Sequence, residues 1–161
     1  MENTTTTAVV TRTPAEKIIK NHVLVSMGFG ALPIPFVDIA AITGTQISMI
    51  SKLAKQHNVP FSKKAASSSL MALVGGLSSQ TLATGTLGSS IKAIPFVGAI
   101  VGAVTYPAIA GATTYAVGQL FERHFAEGGN LFDFKPTAKK QEMAEELKKG
   151  EEEVAAIQKN K

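Results

Sequence analysis

The stretch from Ala65 to Phe121 carries one charged side chain, Lys92, and this constrains the fold more than any other feature of the chain. A helix without a charged face is hidden from water by protein or by lipid. Each half of the stretch, before and after Lys92, is nominally longer at about 1.5 Å per residue than the roughly 30 Å of hydrocarbon a helix must cross. Composition separates the halves. Ser67, Ser68, Ser69, Ser78, Ser79, Thr81 and Thr84, with Gly75, Gly76, Gly85 and Gly88, leave the first only weakly apolar. The second is stronger, with Ile94, Phe96, Val97, Ile100, Val101, Val104, Ile109, Val117, Leu120 and Phe121. Pro107 is expected to kink it. Lys52, Lys55, Lys63 and Lys64 precede the stretch and Arg123 follows it, as in a hairpin with both ends on the cytoplasmic side.

Composition removes whole classes of function. With no cysteine, a disulfide scaffold, a zinc ribbon, a dithiol redox pair and a thiolate nucleophile are excluded together. A net charge of +4 raises the question of nucleic acid, but the basic residues do not cluster: the seven lysines from Lys135 to Lys161 sit among six glutamates. With no Trp and two Tyr to stack on bases, no nucleic-acid partner is expected. Met1 to Thr11 lacks the positive and apolar regions of a signal peptide, and residues 1–12 read as a disordered leader.

Thr13, Pro14 and Glu16 predict a capping box that opens a helix. Ile18, Ile19, His22, Val23, Val25 and Ser26 continue it until Gly28, Gly30, Pro33 and Pro35 break the pattern. A second helix is expected from Val37 or Asp38, with Ile39, Ile42, Gln46, Met49, Ile50, Leu53 and Ala54 on its apolar side and a stop at Asn58. The run Ile34-Pro35-Phe36-Val37 returns as Ile94-Pro95-Phe96-Val97, suggesting two related helix-bend-helix units whose bends are set by Pro35 and Pro95.

The segment from Ile34 to Pro60, with Ile-Pro-Phe-Val-Asp followed by Gln46, Met49, Ile50, Leu53 and Ala54, resembles the bacterial family called domain of unknown function 697. Ile94 to Gly98, Gly102, Gly111, Thr113, Thr114, Ala116, Gly118 and the aromatic end from Phe121 to Phe125 are similar to its distal block. The resemblance covers about Pro14 to Gly129. It implies a helical, often membrane-associated module, and a possible GTPase partner, because members stand alone or are attached to a P-loop GTPase. No phosphate loop is present in this chain: the glycines at 75, 76, 85 and 88 lack the following Lys.

Few residues invite a chemical role. Asp38, the one acid between Glu16 and Glu122, reads as a helix cap, with an ion- or proton-handling role inside the bundle as the alternative. Gln46 lies on an apolar face, where its amide is expected to make a structural hydrogen bond. His22, His57 and His124 lack ligand spacing, and no Gly-x-Ser-x-Gly elbow accompanies the hydroxyls. No catalytic residue, cofactor or metal is expected. The packing signals are Gly98 and Gly102 with Ala99 and Ala103, which let helix backbones approach closely, and further along Gly111 and Gly118.

The expected architecture is all-α: two helix-bend-helix units with a central glycine- and alanine-rich hairpin over residues 13–130, and a charged helical tail over 131–161. In the tail, Met143, Leu147, Val154 and Ile157 form a thin stripe that Gly150 interrupts. A solvated helix is the expectation there, with partner docking as the alternative. The expected function is a non-enzymatic membrane-associated module, anchoring or scaffolding at the bacterial inner membrane with both termini cytoplasmic. Lys63, Lys64 and Lys92 would meet headgroups. The alternative is a cytoplasmic helical interaction module that serves a GTPase or self-associates as a homo-oligomer.

Overall fold

The computed structural model describes residues 13–32, 34, 37–83 and 106–160. Five α-helices run in order: α1 (Pro14–Gly30), α2 (Val37–Gln56), α3 (Lys63–Ala83), α4 (Tyr106–Ala126) and, after a 3-10 turn at Pro136–Lys139, α5 (Lys140–Lys159). No strand occurs among the described residues. The second Ile-Pro-Phe-Val copy, Pro35, Pro95, Lys92, Gly98, Ala99, Gly102 and Ala103 lie outside the described residues.

Local chemistry sets the helix ends. Thr13 Oγ1 accepts from the Glu16 N–H at 3.3 Å and Glu16 Oε2 accepts from the Thr13 N–H at 2.8 Å, completing the capping box. At the same end of the bundle, α2 and α4 both stop in Schellman motifs. Val59 N–H donates to Ala54 and Asn58 N–H to Lys55, with Asn58 at φ 56°. Gly129 N–H donates to His124 and Gly128 N–H to Phe125, with Gly128 at φ 88°.

The centre of the bundle is α4. Neighbours on three sides bury it: α1, α2 and α5 all pack along it, and only Tyr106, Arg123 and Ala126 are exposed. Its register is fixed by close approaches. A Cβ on Gly118 would fall 2.9 Å from Ile19 and 3.0 Å from Met49, and one on Gly111 would fall 2.7 Å from Met27 and 2.9 Å from Val154. Hence α1 and α5 run antiparallel to α4, and α2 runs parallel to it. Ile19, Val23, Met49, Leu53, Val117, Leu120 and Phe121 form the core, each worth about 1.5–3 kcal/mol on full burial.

One expectation needs correction. No described helix is long and apolar enough to cross a membrane: serines and glycines dilute α3, and α4 owes its lack of charge to a protein shell. Residues 84–105 of the expected central hairpin lie outside the described residues; among those described, α3 lies against α2, the 3-10 turn and α5. Pro107 is the second residue of α4 as described, and the residues that precede Tyr106 in the expected kinked run lie outside the described residues.

The tail stripe docks inside the chain. Met143, Gly150 and Val154 are buried, and Leu147 and Ile157 partly so. Gly150 therefore completes a face with spacings of four and three residues. Its missing side chain admits Ala112, whose carbonyl oxygen would lie 2.6 Å from a Cβ at 150.

Candidate functional site

Polar side chains in this bundle form two structural groups before any candidate surface is reached. In the core, Gln46 Nε2 donates to Thr114 Oγ1 at 3.2 Å, and Thr114 Oγ1 donates to Ser26 Oγ at 2.8 Å. All three are buried, so the chain of bonds ties α2, α4 and α1 at one level. Gln46 thus makes a structural bond, to a threonine hydroxyl. Sequence reasoning did not single out Ser26 or Thr114 as partners; a threonine on a helix otherwise lined by Ala, Val and Leu was the available signal. Thr114→Val keeps the volume but leaves an amide and a hydroxyl without their partner. It is expected to lower unfolding free energy by about 2 kcal/mol in urea titration.

The second group is ionic and lies toward the end where α1 begins. Arg123 donates to Glu146 at 2.8 Å and to Glu142 at 3.3 Å, and Lys149 donates to Glu146 at 2.8 Å. His57 bridges both Glu122 oxygens at 3.0 Å, and His124 donates to Asp133 at 2.7 Å, over an aromatic cluster of Phe121, Phe125 and Phe134. Arg123 therefore clamps α5, and is not the membrane-flanking cation its position after the uncharged stretch suggested.

Burial pushes the Glu146 carboxyl up, but Lys149 and Arg123 more than offset this and hold it below the usual carboxylate range. The depressed folded value means the pair stabilises the fold above the unfolded pKa of about 4.3 and loses that contribution as pH falls through the folded one. Glu146→Gln is expected to reduce stability at pH 7 by on the order of 1–2 kcal/mol, between an exposed and a buried pair because Arg123 is half exposed. The difference from the parent should shrink below about pH 4, measured by melting across pH. His22 contributes a separate acid sensitivity to both proteins: burial lowers its pKa, opposed by its bond to the Ile18 carbonyl and aided by Lys52. Glu151 keeps one buried oxygen without a partner, and burial raises its pKa, with Lys148 opposing and Glu152 adding.

The candidate surface is the opposite end. Because α1 is antiparallel to α4 and α2 parallel to it, the uncharged parts of three helices coincide: residues 21–30 of α1, 39–51 of α2 and 106–121 of α4 contain no Asp, Glu, Lys or Arg. Their meeting point exposes Leu32, Ile34, Val37, Ile39 and Tyr106, with Leu24 and Val25 below. Asp38 stands among them. It is the second residue of α2, in the first turn, and its Oδ1 accepts from the Ile39 N–H at 2.7 Å. Burial and then the nearby Asp38 carboxylate raise the Tyr106 pKa. The end of α5 flanks this surface, with Glu152, Glu153 and Lys159 exposed.

Lys63 and Lys64 are exposed at the start of α3, after the turn that ends α2. They and the apolar rim are at opposite ends of α2, about 30 Å apart at 1.5 Å per residue. Among the described residues no three His, Asp or Glu side chains are grouped to hold a metal.

Comparison with known proteins matches this helical, small-residue-rich chain at the family level. Magnetosome membrane protein 22 of Magnetospirillum gryphiswaldense is 35% identical over 147 residues, which cover 91% of this chain and 75% of that protein. No solved structure matches. The profile described as Domain of unknown function (DUF697) matches residues 4–152, from before α1 well into α5. The bundle and its docked last helix thus lie almost wholly within one matched unit, and the chain belongs to the DUF697 family.

Proposed function

We propose that this protein is a non-enzymatic, membrane-associated helical module that anchors or scaffolds at the bacterial inner membrane, with both termini on the cytoplasmic side. The observation that carries this reading is the segregation of charge along the bundle. The ends of α2 and α4 and the start of α5 hold the ion pairs, while the α1–α2 bend and the start of α4 are almost free of charge. A water-soluble bundle normally spreads charge over its whole surface. A relative named as a magnetosome membrane protein supports membrane association. The buried hydroxyls of Ser26 and Thr114 are taken up in a bonded chain with no base in it, in keeping with a structural role.

Fractionation of the untagged protein tests the reading. The protein is expected to pellet with membranes and stay there through a high-salt wash, because apolar contact is insensitive to screening. Recovery before any wash as a stable soluble species would overturn it in favour of an interaction module. In that event, co-purification with a GTPase or a homo-oligomeric mass would identify the partner that the family resemblance implies.

A further inference from the structure

We propose that the bundle meets the membrane end-on, seating the rim formed by Leu32, Ile34, Val37, Ile39 and Tyr106 among lipid acyl chains. This rests on the membrane reading above and adds which surface makes the contact.

The rim is unusual in how little of itself it buries. In the first turn of α2, Val37, Ile39 and Ala40 are exposed and Asp38 is half-buried; Val37 is 54% and Ile39 56% exposed, beside Ile34 at 50%. The core-facing residues of α2 begin only at Thr45. Among the described residues this apolar turn is left about half exposed, and contiguous apolar surface of this kind marks a contact site. Ten large apolar side chains are exposed among the described residues, and seven of them lie at or just below this end.

Chemistry favours lipid as the occupant. Specific protein interfaces carry roughly one hydrogen bond per 100–200 Å², whereas this rim is mostly aliphatic, with Asp38 and Tyr106 as the polar side chains among its described residues. An acyl phase asks for no directional bonds. Tyr106, with an exposed ring and a hydroxyl beside Asp38, has the amphipathic character of interfacial aromatics. Lys159 is exposed at the end of the α5 flank, which also exposes Glu152 and Glu153. The chain also re-enters described structure at Tyr106 from residues 84–105, which carry one charged side chain, Lys92.

The chain has no cysteine, so single cysteines introduced at Ile34, Val37 or Ile39 can each carry an environment-sensitive fluorophore. Phe132, 78% exposed at the opposite end, and Lys55 provide the controls. With vesicles of phosphatidylcholine and phosphatidylglycerol, probes at 34, 37 and 39 are expected to shift to the blue and to be quenched by lipid-borne quenchers, while those at 55 and 132 stay unchanged. The combined substitutions Ile34→Ser, Val37→Ser and Ile39→Ser are expected to weaken vesicle binding at least about tenfold with an unchanged melting profile. Protein that pellets with vesicles but shifts at 132 or 55, or equally at all five positions, overturns the end-on seat and leaves the membrane reading standing. Protein that does not pellet overturns both. Rim probes already blue without vesicles would assign the surface to another part of the chain, or to a second copy if the shift depends on concentration, and either result would overturn lipid as its occupant.

Discussion

Phe121→Ala is expected to cost about 3–5 kcal/mol of unfolding free energy, the range for truncating a large aromatic in a packed core. Phe121 is wholly buried, stacks on Phe134 at 4.2 Å and tilts against Phe125 at 5.8 Å. The loss therefore has two parts. One is the cavity itself. The other is the release of Phe134, which with Leu131 forms the hook holding the link from α4 to α5 against the bundle. His124 also meets Phe134 edge-on, at 5.1 Å, so the hook loses its aromatic floor when Phe121 is removed. For a domain of this size, about 4 kcal/mol corresponds to a fall in melting temperature of roughly 10 °C. Thermal and urea melts followed by circular dichroism measure it. A change below about 1 kcal/mol would mean that the hook does not dock as described. Phe132→Ala is the internal contrast, because that neighbouring ring is exposed and its loss should change stability by less than about 0.5 kcal/mol.

Much of this fold was legible in the residues because local chemistry determined it. The capping box at Thr13 and Glu16, the stop at Asn58 and the buried face of α2 through Gln46, Met49, Ile50 and Leu53 each follow from side-chain chemistry within a few positions. The meaning of the uncharged stretch was not local. Whether lipid or protein covers such a helix depends on which other helices pack on it, and α4 is enclosed by α1, α2 and α5, two of which lie far from it in sequence. Charge near α4 misled for the same reason. Arg123 looks like a flanking cation until Glu142 and Glu146 are placed beside it by the docking of α5.

The candidate surface was legible only in its ingredients. Ile34, Val37 and Ile39 are ordinary apolar residues near a proline-rich bend, and their exposure becomes informative once the core of α2 is seen to begin at Thr45. Lys63 and Lys64 were assigned to headgroups from their position before the uncharged stretch. Yet α2 carries the chain the length of the bundle before α3 begins, and a residue's distance along a helix is not visible in a count of charges. Gly111 and Gly118 stand where close approach requires small residues. The tetrad from Gly98 to Ala103 lies outside the described residues.

Gly150→Leu is expected to cost at least about 3 kcal/mol, at the upper end of overpacking penalties, and to detach α5. Intrinsic propensity points the other way, because replacing a glycine inside a helix ordinarily stabilises by roughly 0.5–1 kcal/mol. The sign is therefore diagnostic. At Gly150 even a Cβ would stand 2.6 Å from the Ala112 carbonyl oxygen and 3.0 Å from its Cα, atoms of a helix backbone that cannot rotate aside, so the two helices must separate. Separation pulls Met143 and Val154 from the core and uncouples Glu146 from Arg123. It should thus appear both as a lower urea midpoint and as rapid proteolysis at the lysines of α5. Gly44→Ala is the matched control: Gly44 lies inside α2 with nothing within 4 Å of its would-be Cβ, and stability there should rise by up to about 1 kcal/mol. If both substitutions stabilised, α5 would be the solvated helix that its charge suggests; opposite signs place the crossing of α4 and α5 at Ala112 and Gly150.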